Sequence, residues 1–140
     1  MTTLVVDASI VIKWVFPELY SAAARRILSE GYELLAPDLL WPEVVNVLWK
    51  RFKAGEISAD EARELLQDVK RFPIITFPSF ALLGVALDIA TRFGRSVYDS
   101  LYLALAVSQA CRLATSDRSL YQGLRRGPLA PALLWIEDAR

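Results

Sequence analysis

Four acidic residues and one missing residue type frame the chemistry open to this chain. Its 140 residues include no histidine and a single cysteine, Cys111. That removes the usual imidazole base, the usual nitrogen ligand of zinc and any internal disulfide. Carboxylate, hydroxyl, lysine and arginine chemistry remains. Asp7, Glu43, Asp99 and Asp117 stand out because each interrupts or borders an apolar stretch. Asp7 closes Leu4-Val5-Val6, Glu43 follows Pro42 in a Leu/Val/Trp-rich segment, Asp99 is the only charge between Ser96 and Val107, and Asp117 follows Arg112-Leu113-Ala114-Thr115-Ser116.

Each acid has an ordinary structural explanation. Asp7 and Asp117 suit helix caps, and Glu43 and Asp99 suit the first turn of a helix, where negative charge complements the dipole. Gathered in one crevice they would do something else. Clustered carboxylates raise each other's pKa and stay ionised only if cations join them. An all-oxygen donor set suits Mg²⁺ or Mn²⁺, which keep several waters and combine one or two carboxylates with a substrate phosphate. One such ion lowers the pKa of a bound water, and a second about 4 Å away would clamp the attacking and leaving oxygens of an in-line phosphoryl displacement.

Whether the acids meet depends on the elements that carry them. Leu4–Val6 is a short run too brief for a helix, as expected of a buried parallel strand ending at Asp7. Helical spacing follows through Val15, then an Ala-rich helix over about Glu18–Ser29, whose Arg25 and Arg26 suit a solvated face. Glu33–Ala36 predicts a second strand, with Asp38 as the cap of the next helix and no catalytic role. That helix, about Leu39–Ala54, is apolar nearly all round and is expected to be largely buried. Glu43, Asn46, Lys50 and Lys53 form its one polar stripe. Ser58 and Glu61 match a capping box for a helix to about Arg71. Ile74–Phe77, flanked by Pro73 and Pro78, suits a sheet edge. A helix from Ser79 to about Gly94 and a second apolar helix opened by Ser96 lead to a strand at Arg112–Thr115. A short helical pattern to Gly123 and a last strand at Leu133–Ile136 complete the order. Strands alternating with helices predict an α/β fold, a five-stranded parallel sheet flanked by helices in three layers. Asp7 and Asp117 then meet where the winding reverses.

The length and a 54% hydrophobic content suit one domain spanning 1–140. No apolar run reaches the roughly 18 residues that cross a bilayer, and the N-terminus lacks a secretory pattern, so no membrane association and a cytoplasmic location are expected. Sixteen acids balance sixteen bases, which leaves any nucleic-acid contact to a local patch. Cys111 suits a small core position. Trp14, Phe16, Trp41, Trp49, Phe52 and Trp135 exceed what a small core needs, which points to a partner surface, for a homodimer or another protein.

The motifs Asp7-Ala8-Ser9, Glu43 within Pro37 to Leu48, Tyr98-Asp99 within Ser96 to Ala106, and Thr115-Ser116-Asp117 together resemble the PIN-domain nucleases, specifically the VapC-type toxins of toxin–antitoxin pairs. The resemblance covers essentially the whole chain and rests on the order and spacing of the motifs. It implies a PIN-like fold, Mg²⁺- or Mn²⁺-dependent cleavage of RNA and inhibition by a cognate small antitoxin. By position, Asp7, Glu43, Asp99 and Asp117 match the family's catalytic, metal-binding acids, and Ser9 and Thr115 match its site-lining hydroxyls. Asn46 joins them as a supporting residue from the polar stripe of its helix. Arg118-Ser119 stand where some members carry a further acid, a departure that bears on a second metal position. Two other readings stay open. An aspartyl-phosphate phosphatase wants an acid two residues after its nucleophile, where this chain has Ser9. A catalytically silent PIN-like module would bind RNA or protein without cutting.

Overall fold

A computed structural model describes residues 2–139. Among these, five strands alternate with seven α-helices. β1 (Thr3–Val6) leads into α1 (Ala8–Val15) and α2 (Ser21–Ser29), and β2 (Glu33–Pro37) into α3 (Leu40–Lys53) and α4 (Ala59–Lys70). β3 (Ile74–Phe77) precedes α5 (Leu83–Phe93) and α6 (Val97–Ser108), β4 (Arg112–Thr115) precedes α7 (Arg118–Leu124), and β5 (Leu133–Trp135) closes the order. All strands are parallel, in the order β3-β2-β1-β4-β5. The chain winds outward from β1 through β2 to β3, then returns to the other side of β1 with β4. The reversal falls between β1 and β4, where Val5 pairs with Leu113 and Val6 with Ala114. β1 is buried throughout Leu4–Val6 and β4 throughout Leu113–Thr115, as expected for strands covered on both faces. β3 lies at the edge its prolines suit.

α6 carries the core. Seven consecutive residues, Ser100–Ala106, are buried where the helix crosses β1, β2 and β4 beneath α5. α3 differs from its expected burial. Leu40, Val44 and Leu48 are buried, but Val45, Trp49 and Phe52 are exposed, because α3 packs on α1 and α4 along one stripe rather than on the sheet. Of the six large aromatics, Trp49 and Phe52 are thus at the surface. Phe16 is buried, and Trp14 stacks edge-on with Phe72 and donates its indole N–H to the Ala24 carbonyl.

Three local expectations are corrected. Asp38 does not cap α3, whose start has no side-chain cap. Its Oδ1 instead accepts from the Ser79 amide at 3.0 Å and the Ser79 hydroxyl at 2.5 Å, tying the end of β2 to the turn after β3. Glu18 lies before α2, paired with Lys13 at 3.0 Å and Arg51 at 2.7 Å. The segment from Ser79 opens with a 3₁₀ turn before α5. The capping box at Ser58 and Glu61 forms with both bonds at 3.0 Å. Gly94 takes the left-handed conformation (φ 71°) that ends α5 and turns the chain into α6.

Candidate active site

The carboxyl ends of β1 and β4 form the floor of a pocket of about 140 Å³, and all four acids line it together with Ser9 and Tyr102. Asp7 directly follows β1 and Asp117 lies two residues beyond the end of β4, and each is the N-cap of the next helix. Asp7 Oδ1 accepts from the Ile10 amide at 3.2 Å, and Asp117 Oδ1 from the Leu120 amide at 3.1 Å. The capping role and the site position therefore coincide, because a cap uses one carboxylate oxygen for the helix and leaves room on the carboxylate for other partners.

Hydroxyls fasten the two strand ends together. Buried Thr115 donates to Asp7 Oδ2 at 2.6 Å and accepts from the Asp117 amide at 3.0 Å. Ser9 donates to Asp7 Oδ1 at 2.5 Å and takes bonds from the Ser116 amide and hydroxyl at 3.3 and 2.9 Å. These bonds favour an ionised Asp7, yet burial outweighs them and the neighbouring Asp117 charge opposes them, so the Asp7 carboxyl is pushed up to about 6.

Glu43 reaches the pocket from the first turn of α3 and Asp99 from the first turn of α6. Burial, with the Asp99 charge adding to it, raises the Glu43 pKa against the lowering effect of a short hydrogen bond from the Tyr102 hydroxyl. Asp99 pairs with Arg95 at 3.1 Å, and its amide donates to the capping Ser96 hydroxyl at 3.1 Å. Asn46 is exposed one turn beyond Glu43 and does not line the pocket, nor do Lys50 and Lys53. Only the first residue of that stripe enters the site, because α3 leaves the strand ends as it rises.

Sequence reasoning passed over Tyr102 and Arg95, and named Ser116 only within the Thr115-Ser116-Asp117 motif. Tyr102 sits three residues after Asp99, a spacing that shares a helical face, but the apolar context of α6 gave it the look of a core ring, and Arg95 lies just ahead of that helix's N-cap Ser96. The Tyr102 hydroxyl was the signal, since a buried phenol needs a partner.

A family model for the PIN domain matches residues 4–123, from β1 into α7, a span that holds all four acids. The chain belongs to the PIN domain family. Ribonuclease VapC3 of Pyrobaculum aerophilum is 39% identical over 119 residues, covering 84% of this chain and 91% of the relative. VapC ribonuclease Mb0985 of Mycobacterium bovis is 29% identical over 117 residues, covering 84% and 87%. Among solved structures, that of PAE2754 from Pyrobaculum aerophilum aligns with a TM-score of 0.67 at 26% identity, covering 97% of this chain and 92% of that one. A toxin–antitoxin complex from Klebsiella pneumoniae shares the PIN fold at a TM-score of 0.63 and 14% identity, covering 97% and 99%.

The donor set of this PIN domain is all oxygen. Among the described residues no three acids are grouped as a ready-made ion cage. Tyr102 engages Glu43 and Arg95 engages Asp99, while Asp7 and Asp117 are joined to each other through Thr115. Two carboxylates with water and a substrate phosphate completing the shell is the arrangement Mg²⁺ accepts, so the residues fit a hard, water-rich divalent cation.

Proposed function

We propose that this PIN domain is a metal-dependent endoribonuclease acting as the toxin of a toxin–antitoxin pair. The observation that carries this reading is the convergence of Asp7, Glu43, Asp99 and Asp117 on one pocket at the reversal of the sheet, with Asp7 buried beside the Asp117 charge. The VapC ribonucleases among its relatives support RNA as the substrate, and the toxin–antitoxin complex among its structural neighbours supports a small protein partner. Asp7 and Asp117 would hold Mg²⁺ or Mn²⁺, with Glu43 and Asp99 on the flanks. A divalent ion there supplies Lewis-acid polarisation of the phosphoryl oxygens and a lowered pKa for an attacking water.

The chain's own groups do the positioning. Thr115 and Ser9 fix the Asp7 carboxylate from both oxygens, Tyr102 orients Glu43, and Arg95 holds Asp99 while offering a cation near the path of a phosphate backbone. Purified chain free of any partner should cut single-stranded RNA in Mg²⁺ or Mn²⁺ and stop when a chelator is added. Equal cutting in excess chelator overturns the metal dependence. Ion binding with no cutting in any RNA pool would favour the silent module.

A further inference from the structure

A second pocket, of about 270 Å³, lies on the other side of α7 from the acids. Its wall is a cluster of rings and guanidinium groups. The Tyr121 and Trp135 rings lie 5.4 Å apart at 47°, and Tyr20 meets Trp135 edge-on at 5.5 Å. The Arg118 guanidinium lies over the Trp135 ring at 5.6 Å and donates to the Tyr20 hydroxyl at 3.0 Å, while Arg125 lies over Tyr121 at 6.0 Å. Tyr20 holds its place from a left-handed backbone (φ 67°), an uncommon and costly conformation for a bulky residue. At the rim stand two consecutive exposed carboxylates, Glu137 and Asp138, the first accepting from the Trp135 indole N–H at 3.1 Å.

We infer that this pocket binds one unpaired nucleobase of the RNA, preferentially guanine, next to the site of cleavage. The inference rests on the ribonuclease reading and extends it to substrate choice. Unpaired bases are held by stacking on aromatic rings and arginine planes, with further cations on the flanking phosphates, and both components are present here. The volume suits a single base rather than a larger ligand. Position supplies the link to catalysis. Asp117 caps α7 and Leu120 faces the acids, while Arg118, Tyr121 and Arg125, at offsets of three and seven, line the second pocket. One helix thus joins the two sites. Glu137 and Asp138 supply the choice of base, because a carboxylate accepts two adjacent N–H donors side by side and guanine presents such a pair in its N1–H and amino groups.

The test uses the full chain in chelator and fluorescein-labelled single-stranded octamers, either all uridine or with one central guanosine, read by anisotropy. The wild type should bind the guanosine octamer about tenfold more tightly than the uridine octamer. Tyr121→Ala and Arg125→Ala should each weaken it by roughly 5- to 100-fold, the range expected for one lost stacked base. Tyr121→Phe should keep most of the affinity, and Glu137→Gln should remove the discrimination between the octamers. Thermal melts establish that each variant is folded. Folded Tyr121→Ala and Arg125→Ala that bind both octamers like the wild type overturn the inference while leaving the nuclease reading intact. Variants that keep RNA affinity but lose the purified antitoxin overturn it too, and make this surface a protein interface. A wild type that binds neither octamer and cuts no RNA overturns both readings together.

Discussion

At Asp7 the demands of stability and of the proposed chemistry have opposite signs. The Asp7 carboxyl has an ordinary pKa of 3.8 and is pushed up to about 6 in the folded chain, mainly by burial. Between those values the native state holds a proton that the unfolded chain has released, so stability falls as pH rises through the window, and the penalty is complete above about pH 6. Two pKa units correspond to roughly 3 kcal/mol as an order of magnitude. Asp7→Asn removes that penalty, and asparagine caps a helix about as well as aspartate. The variant should therefore melt at or above the wild-type temperature at about pH 7.5 and lose that advantage near pH 4, while RNA cleavage falls by orders of magnitude. Calorimetry at both pH values, paired with a cleavage assay, checks it. A lower melting temperature at neutral pH with activity retained would leave Asp7 as a cap only. That Asp7 stands at the end of a buried strand was legible from its place after Leu4-Val5-Val6; that Thr115 and Ser9 grip both of its oxygens was not, because those partners lie 108 and 2 residues away in sequence and only the pairing of β1 with β4 brings the first of them close.

At the scale of elements, α6 takes the burial that the compositions of α3 and α6 both suggest. Both are rich in apolar residues, and composition cannot say which of two such helices lies on the sheet. α6 lies across β1, β2 and β4, so Leu103 is wholly buried, whereas Trp49 on α3 is 52% exposed. Leu103→Ala should cost about 2–5 kcal/mol through lost burial and a cavity, and Trp49→Ser should stay within about 0.5 kcal/mol. Urea unfolding of the two variants separates them. A large loss at Trp49 would mean that the exposed face of α3 is covered within the folded chain. The same difference explains the site: α6 is pinned by its core face, which fixes Asp99 and Tyr102 in register, while α3 contributes only Glu43 before it departs and leaves Asn46 exposed.

For the molecule as a whole, Phe80, Leu83 and Leu87 are exposed at helical spacing on the turn before α5 and on α5 itself, with Phe80 at 86%. An apolar stripe of this kind is poorly suited to water and well suited to a second copy of the chain. Light scattering should report a dimer, and Phe80→Ser with Leu87→Ser should give a monomer of unchanged fold. A wild-type monomer at high concentration would refute the pairing and leave that stripe for the antitoxin.

The sequence by itself determined the class of fold and the donor atoms available to a site. Having no histidine, with four acids beside apolar runs, restricted the donors such a site could offer to oxygen, and strands alternating with helices required a parallel sheet. Each is a local property, set by residue type and by spacing over a few positions. Tertiary structure decided the rest: that Tyr102 and Arg95 engage two of the acids, that Asp38 ties two strand ends rather than capping α3, and that α7 stands between an acidic pocket and an aromatic one. Those outcomes depend on which surfaces face each other once β4 inserts beside β1. Burial and long-range hydrogen bonds are properties of that arrangement, and no window along the chain contains them.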